Sequence, residues 1–207
     1  MAEAQSQARE GIVGVLLAAG RGTRFDASGA RSKLLQPLPL QGGRSVAQAA
    51  ALNLRGAVAQ VIAVVRAEDG ALAEQLLTAG CTLVRNDYAD AGVGTSIACA
   101  VRATPNAAGW LIALADMPAV APTTIAHIAA AIGKGAITAV PTYRGQRGHP
   151  VGFAASLGPQ LALLDGDQGA RALLRAHPPL AIDVDDPGCL LDLDTPDDFA
   201  ALLARPR

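Results

Sequence analysis

The sequence predicts an α/β fold: a mainly parallel sheet with helices on both faces. Three observations carry that expectation. Short β-branched runs alternate with alanine- and leucine-rich stretches along the whole chain, which is the pattern of strand–helix units. The first apolar run, Ile12 to Leu17, passes directly into a small-residue loop, Ala18-Ala19-Gly20-Arg21-Gly22-Thr23-Arg24. A later run, Trp110 to Ala115, delivers a carboxylate, Asp116, at its end. In open parallel sheets ligands bind outside the carboxyl ends of strands, so chemistry is expected in the residues that follow them.

In chain order, strands are expected at Ile12–Leu17, Val61–Val65, Thr82–Val84, Trp110–Ala115, Ala136–Pro141 and Val151–Phe153. Helices are expected over Ser45–Leu54, Asp69–Ala79, Gly94–Ala103, Pro122–Ile132, Pro159–Leu164, Gly169–His177 and Pro196–Ala204. Ser45 and Thr195 suit the N-cap, where a hydroxyl accepts from the free N–H groups of the first turn, and Pro196 suits the first helical position. The segment Thr142 to Gly148, rich in Gly, Arg and Gln, reads as a hairpin tip or a site loop. No repeat or composition break divides the chain. Residues 11–207 are therefore expected to form one domain behind a flexible polar segment, residues 1–10.

Composition narrows the function classes. A hydrophobic fraction of 51% excludes a disordered chain. Seventeen Lys and Arg against 18 Asp and Glu give a net charge of −1, so no global field draws in nucleic acid or an acidic membrane. An anion site must be local, which fits a small-molecule enzyme. The three cysteines, Cys81, Cys99 and Cys189, are odd in number and widely spaced, implying neither a disulfide framework nor a zinc knuckle. Reduced thiols, a polar start without a signal-peptide core and no long apolar run point to the cytoplasm.

Five constellations carry chemistry. In the first, Gly20 and Gly22 let backbone N–H groups approach an anion, while Arg21, Arg24 and the downstream Lys33 neutralise it. The loop lacks the third glycine of a dinucleotide fingerprint, because Phe25 follows Arg24, and Lys33 lacks the neighbours of a P-loop lysine. In the second, Asp116 precedes Met117-Pro118; a hard oxygen at a strand end suits Mg²⁺, and it equally suits a turn cap. In the third, Asp192 and Asp194 alternate with leucines and so share one face of an extended segment, whereas Asp197 and Asp198 sit in a first helical turn and complement its dipole.

The fourth constellation is Asn86 followed by Gly92-Val93-Gly94-Thr95-Ser96, which offers N–H and hydroxyl groups to a ligand or simply starts a helix. The fifth pairs Arg147-Gly148-His149-Pro150 with Asp165-Gly166-Asp167-Gln168-Gly169-Ala170-Arg171. A histidine between Gly and Pro is stiffly held and suits binding, and Arg171 is either a solvated helix charge or an anion contact.

Together these motifs, spanning Leu16 to Phe199, resemble the nucleotidyltransferase superfamily and, within it, the molybdenum cofactor cytidylyltransferases. The resemblance implies a three-layer Rossmann-like nucleotidyltransferase fold. It implies that Leu17, Ala18, Ala19, Gly20, Arg21, Gly22, Thr23, Arg24 and Lys33 wrap the nucleotide, with Arg21, Lys33 and Asp116 as the catalytic groups. Asn86, Gly92, Gly94, Thr95 and Ser96 would hold base and ribose; Val93 departs mildly from the methionine common there. Asp116 and Asp194 would hold Mg²⁺. Arg147, Gly148, His149, Pro150, Arg171 and Asp192 would face the acceptor.

The implied reaction joins CTP and molybdopterin, or its molybdenum-loaded form, into a cytosine dinucleotide with release of diphosphate. A molybdoenzyme apoprotein or its chaperone is the implied protein partner, with no nucleic acid and no membrane. Relatives that use GTP carry glycine where this chain has Ala19, and the extra methyl narrows the room for a purine. Other readings kept open are a different phosphorylated acceptor, a GTP-using guanylyltransferase, a non-catalytic molybdopterin or nucleotide carrier, and a Rossmann oxidoreductase.

Overall fold

The computed structural model describes residues 10–28 and 31–203. The flexible segment expected over residues 1–10 lies, apart from Glu10, outside the described residues, as does Ala204 at the expected end of the last helix. The strands are β1 Glu10–Leu17, β2 Pro37–Leu38, β3 Arg44–Ser45, β4 Gln60–Val65, β5 Thr82–Arg85, β6 Ala107–Leu114, β7 Thr138–Tyr143, β8 Gln146–Arg147, β9 Val151–Ala154 and β10 Leu180–Asp183. The helices are α1 Val46–Arg55, α2 Gly70–Thr78, α3 Val93–Ala103, α4 Pro122–Gly133, α5 Gly158–Ala162, α6 Arg171–Ala176 and α7 Pro196–Leu203.

Among the described residues, eight strands form one sheet in the order β10-β7-β9-β6-β1-β4-β5, with β8 paired to β7. β1 runs parallel to β4 and β6, β4 to β5, and β7 to β10, while β9 is inserted antiparallel between β6 and β7. The period of two along the strands divides the core. Leu16, Val61, Ala63, Val65 and Leu111 pack on one face with residues of α1, α2 and α4. Val13, Val15, Ile62, Val64, Trp110 and Ile112 pack on the other with residues of α3 and α5. The three-layer α/β arrangement expected from the sequence is the one observed.

Local chemistry explains the element ends. Ser45 caps α1 in a reciprocal box: its Oγ accepts from Gln48 N at 3.3 Å and its own N donates to Gln48 Oε1 at 3.1 Å. Thr195 and Asp198 do the same for α7, with Asp198 N donating to Thr195 Oγ1 at 3.2 Å and Thr195 N donating to Asp198 Oδ2 at 2.8 Å. Several expected boundaries move. β7 starts at Thr138 rather than Ala136, because Ala136 N is spent closing α4 on Ala131 O at 3.1 Å. α6 starts at Arg171 rather than Gly169, whose φ of +52° is left-handed. β10 was not expected: it lies at the sheet edge and Leu180 is largely exposed, so no apolar pattern marks it.

The segment Thr142 to Gly148 is a hairpin turning through Arg144 (φ 51°) and Gly145 (φ +77°), the positive-φ pair of a two-residue hairpin turn. Its return arm leads into the antiparallel β9, whose first residue, Val151, pairs with Ile112 near the end of β6. Reversing that one strand brings Arg147 to Pro150 to the carboxyl edge of the sheet, where β1, β4 and β6 also end.

Candidate functional site

The loop after β1 is fixed at its root and bent by one glycine. Ala18 N donates to Val64 O at 2.9 Å, and Ala115 N donates to Leu17 O at 3.1 Å, tying the loop to the ends of β4 and β6. Gly22 has φ +66°, and its carbonyl accepts from Phe25 N at 2.9 Å, so the chain doubles back over Lys33. Phe25 is buried and anchors the return. The resulting cleft of about 300 Å³ is lined by Gly20, Arg21, Arg24, Lys33, Asp116 and Asp194 among others.

The carboxylates expected to hold a metal meet at its floor. Lys33 Nζ donates to Asp116 Oδ2 at 2.6 Å and to Asp194 Oδ1 at 2.8 Å, with side-chain exposures of 11%, 20% and 14%. Arg24 pairs with the second oxygen of Asp194. Asp194 arrives on a segment whose middle residue, Leu193, is buried and donates its N–H to Asp116 O at 3.0 Å. Leu193 points into the core, so Asp192 and Asp194 share the opposite side, as the alternation predicts.

These charges set one another's proton affinities. Burial pulls the Lys33 ammonium down, but Asp116 and Asp194 outweigh it and hold the ammonium above its ordinary range. Burial pushes Asp194 up, yet Lys33 and Arg24 more than offset it, leaving that carboxyl below its ordinary value. Asp192 goes the other way, raised by burial and by the negative neighbours Asp194 and Asp116.

The donor set fits a hard divalent cation. Among the described residues no group of three or more His, Cys, Asp or Glu could hold a metal. Two carboxylates are nonetheless what Mg²⁺ uses when waters and substrate phosphates complete its shell. Asp116 Oδ1 is buried without a hydrogen-bond partner, an acceptor left over for such an ion.

A second cleft of about 330 Å³ adjoins the first and shares Leu17, Gly20, Arg21 and Asp116 with it. Ala19, Arg66, Asp90, Gly92 and Ser96 also line it. Arg66 and Asp90 escaped the sequence reading, although Arg66 follows the last residue of β4 and so obeyed the rule that chemistry follows strand ends. Asn86, Gly94 and Thr95, expected beside base and ribose, are not among the residues that line this cleft. Asn86 is 3% exposed, and its amide donates to Thr95 Oγ1 and Ser96 Oγ at 2.9 Å each. Asn86 thus organises the start of α3 from beneath. Gly94 N donates to Gly166 O at 2.9 Å, so its N–H is already spent on the chain. A Cβ on Gly92 (φ +123°) would lie 2.2 Å from the Gly166 carbonyl carbon, and one on Gly94 would lie 2.6 Å from Asp165 O. These glycines serve close backbone packing between the segment before α3 and residues 165–167.

The third space is a cavity of about 410 Å³ lined by Arg147, Gly148, His149, Asp167 and Arg171, with apolar walls that include Phe153 and Leu174. It shares Leu17, Leu114 and Asp167 with the second cleft, so the three form one groove along the carboxyl edge. Gly148 N donates to Pro141 O and His149 N to Cys189 O, both at 2.9 Å. His149 Nδ1 is buried without a partner, and burial pushes the ring toward its neutral form against Asp116, the Ile112 backbone and Asp192. Pro150 and Asp192 lie outside the cavity lining.

Comparison with known proteins gives a consistent family. The family model described as the MobA-like NTP transferase domain matches residues 14–180. The nicotine blue oxidoreductase of Paenarthrobacter nicotinovorans is 33% identical over 201 residues, covering 93% of this chain and 96% of that protein. The purine catabolism protein PucB of Bacillus subtilis is 30% identical over 202 residues, covering 91% and 94%. Among solved structures, Rv0371c of Mycobacterium tuberculosis in complex with manganese is similar at a TM-score of 0.75 and 31% identity, covering 95% of this chain and all of that one (100%). A nucleotidyl transferase from Methanothermobacter thermautotrophicus is similar at a TM-score of 0.78 and 26% identity, covering 93% and 96%. No helix among the described residues is long and apolar enough to cross a membrane.

Proposed function

We propose, since the chain belongs to the MobA-like NTP transferase family, that it transfers CMP from CTP to the phosphate of molybdopterin or its molybdenum-loaded form and releases diphosphate. The observation that carries this reading is Lys33 joining Asp116 and Asp194 on the floor of a cleft roofed by Gly20 to Arg24. A triphosphate needs a backbone cradle, cations and a carboxylate pair for a divalent ion, and all three converge there. Mg²⁺, when bound by Asp116 and Asp194, would neutralise charge across the reacting phosphates; the manganese in the Mycobacterium tuberculosis relative favours a divalent ion in this fold.

The reaction is an in-line displacement at the α-phosphorus. An oxygen of the acceptor phosphate forms the new P–O bond, the bond to the β-phosphate breaks, and diphosphate leaves with the electron pair. Arg21, Arg24 and Lys33 offset charge on the triphosphate and the departing diphosphate. Arg147 and Arg171 meet the acceptor's own anionic group, with Gly148 and His149 shaping the approach; Pro150 and Asp192, outside that lining, act only through their neighbours His149 and Asp194. The acceptor phosphate is ionised near neutral pH, so no general base is required. Catalysis is positioning and electrostatic stabilisation.

CTP is the proposed nucleotide because the Ala19 methyl reduces the space beside the base. The cytoplasm is the proposed setting, and a molybdoenzyme apoprotein or its chaperone the proposed recipient. Diphosphate release measured with the four nucleoside triphosphates, purified molybdopterin and Mg²⁺ tests the reading: CTP should dominate, and no release with any nucleotide would end it. A redox role has one observation behind it, the name of the 33% identical Paenarthrobacter protein. Titration with a nicotinamide dinucleotide, followed by fluorescence, separates the two, since the transferase reading expects no response.

A further inference from the structure

Arg66 and Asp90 do something none of the five sequence motifs accounts for. Arg66 is 8% exposed, a costly place for a guanidinium unless its donors are used. Its Nε donates to Ala19 O at 2.7 Å and its terminal amine donates to Asp90 Oδ1 at 2.7 Å. Asp90 also receives Arg21, whose Nε donates to Oδ1 at 2.7 Å while its terminal amine closes on Oδ2. A carboxylate therefore stands in the wall of a groove otherwise built for an anion. Charge repulsion rules out a phosphate contact for it. It lines the second cleft with Ala19 and Ser96 and is absent from the lining of the cleft that holds Lys33.

The geometry points to Asp90, held in place by Arg66, as the residue that reads the nucleoside half of the nucleotide by accepting a hydrogen bond from one of its donors, a base amine or a ribose hydroxyl. This rests on the groove being a nucleotide site. Arg21 is exposed and lines both clefts, so it is free to turn from Asp90 to the phosphates. Arg66 is buried and anchored on Ala19 and stays. Turning Arg21 away releases Oδ2, while Oδ1 remains on Arg66. An ionised carboxylate only accepts, so the freed oxygen selects a ligand donor. The same guanidinium fixes the Ala19 carbonyl, so one buried positioning residue sets both the wall beside the base and the acceptor that reads it.

Equilibrium binding of nucleotide pairs to the wild type, Asp90→Asn, Asp90→Ala and Arg66→Lys tests this. CTP with UTP and GTP with ITP differ by a base amine; CTP with dCTP and GTP with dGTP differ by a ribose hydroxyl. Inorganic tripolyphosphate isolates the phosphate half. The wild type should bind the member carrying the donor about tenfold more tightly in one kind of pair, and both Asp90 variants should erase that preference while keeping tripolyphosphate binding. Arg66→Lys, which replaces the rigid planar fork on Ala19 O and Asp90 Oδ1 by a single mobile ammonium, should blunt it. The side chain of Asp90 is exposed, so its variants should keep the wild-type circular dichroism; Asp90→Ala leaves the buried Arg66 guanidinium short of one partner and should melt lower, whereas Asp90→Asn keeps an acceptor for it. Equal weakening for every nucleotide with the preference intact, or no preference in the wild type, would overturn the proposal alone. A wild type that binds none of these nucleotides would overturn the nucleotide reading of the groove beneath it.

Discussion

Replacing Lys33 by Met removes the cation between two carboxylates that the fold holds together. The oxygens of Asp116 and Asp194 sit 2.6 and 2.8 Å from Nζ, and none of the three side chains is more than 20% exposed. Removing one partner from a buried ion pair costs about 3–5 kcal/mol. Arg24 still holds Asp194, so the low end applies, about 3 kcal/mol. For a chain of this size that is a fall in melting temperature of about 6–12 °C.

The pH dependence follows from the directions of the shifts. Asp194 lies below its ordinary value, so its contribution exists above about pH 4, the unfolded carboxylate value, and disappears as pH falls through the folded one. Lys33 lies above its ordinary range, so its contribution exists below about pH 10.4 and disappears as pH rises past that. The gap between wild type and Lys33→Met should therefore be widest near pH 7 and close as pH falls below about 4. Millimolar Mg²⁺ should restore part of the loss in the variant. Thermal melts by circular dichroism at about pH 7 and about pH 2.5, the neutral ones with and without Mg²⁺, decide it. A shift under about 2 °C at pH 7, or an equal shift at both pH values, would show that the bridge does not carry this energy.

Asp116→Ala should cut nucleotidyl transfer by roughly 10²-fold or more, measured by diphosphate release, while leaving the circular dichroism unchanged; near-normal Mg²⁺-dependent turnover would sink the assignment. Gly92→Ala forces a Cβ to 2.2 Å from the Gly166 carbonyl carbon at φ +123°, and should cost roughly 3 kcal/mol by urea denaturation. A neutral result there would mean that residues 165–167 do not pack on the start of α3. The Cys81 thiol is pushed up to about 11 by burial, with Arg55 acting the other way. The unfolded thiol ionises first, so stability should fall as pH rises from about 9 toward 11. Cys81→Ala should flatten that slope in urea midpoints taken across the range, and an unchanged slope would assign the alkaline loss elsewhere.

Much of the molecule is legible in the chain because it depends on neighbours in sequence. The apolar runs of β1, β4 and β6 carry their own period of two. Ser45 with Gln48 and Thr195 with Asp198 are caps that close within four residues, so their partners are visible in the string. Asp116 could be placed at a strand end, and Asp192 and Asp194 on one side of an extended segment, from local geometry. Edge strand β10 could not be found that way. Leu180 faces solvent, and only its pairing with β7 makes it a strand.

Other features depend on which distant segments touch. Gly92 and Gly94 read as donors to a ligand, yet each leaves no room for a Cβ because the backbone of Asp165 and Gly166, distant in sequence, packs against it. Arg66 carries no motif, and its role exists only because Ala19 and Asp90 converge on it from other loops. Local runs of residues are enough to set the alternation of strands and helices, the capped ends, and the residue types able to meet a triphosphate and a divalent ion. Tertiary structure alone decided that β9 runs backwards, bringing Arg147 to His149 to the edge where Asp116 follows β6, and that Lys33 spans both carboxylates. Strand direction and ion pairing across the fold are set by long-range packing and by the cost of leaving a buried charge alone, and neither is written in any local run of residues.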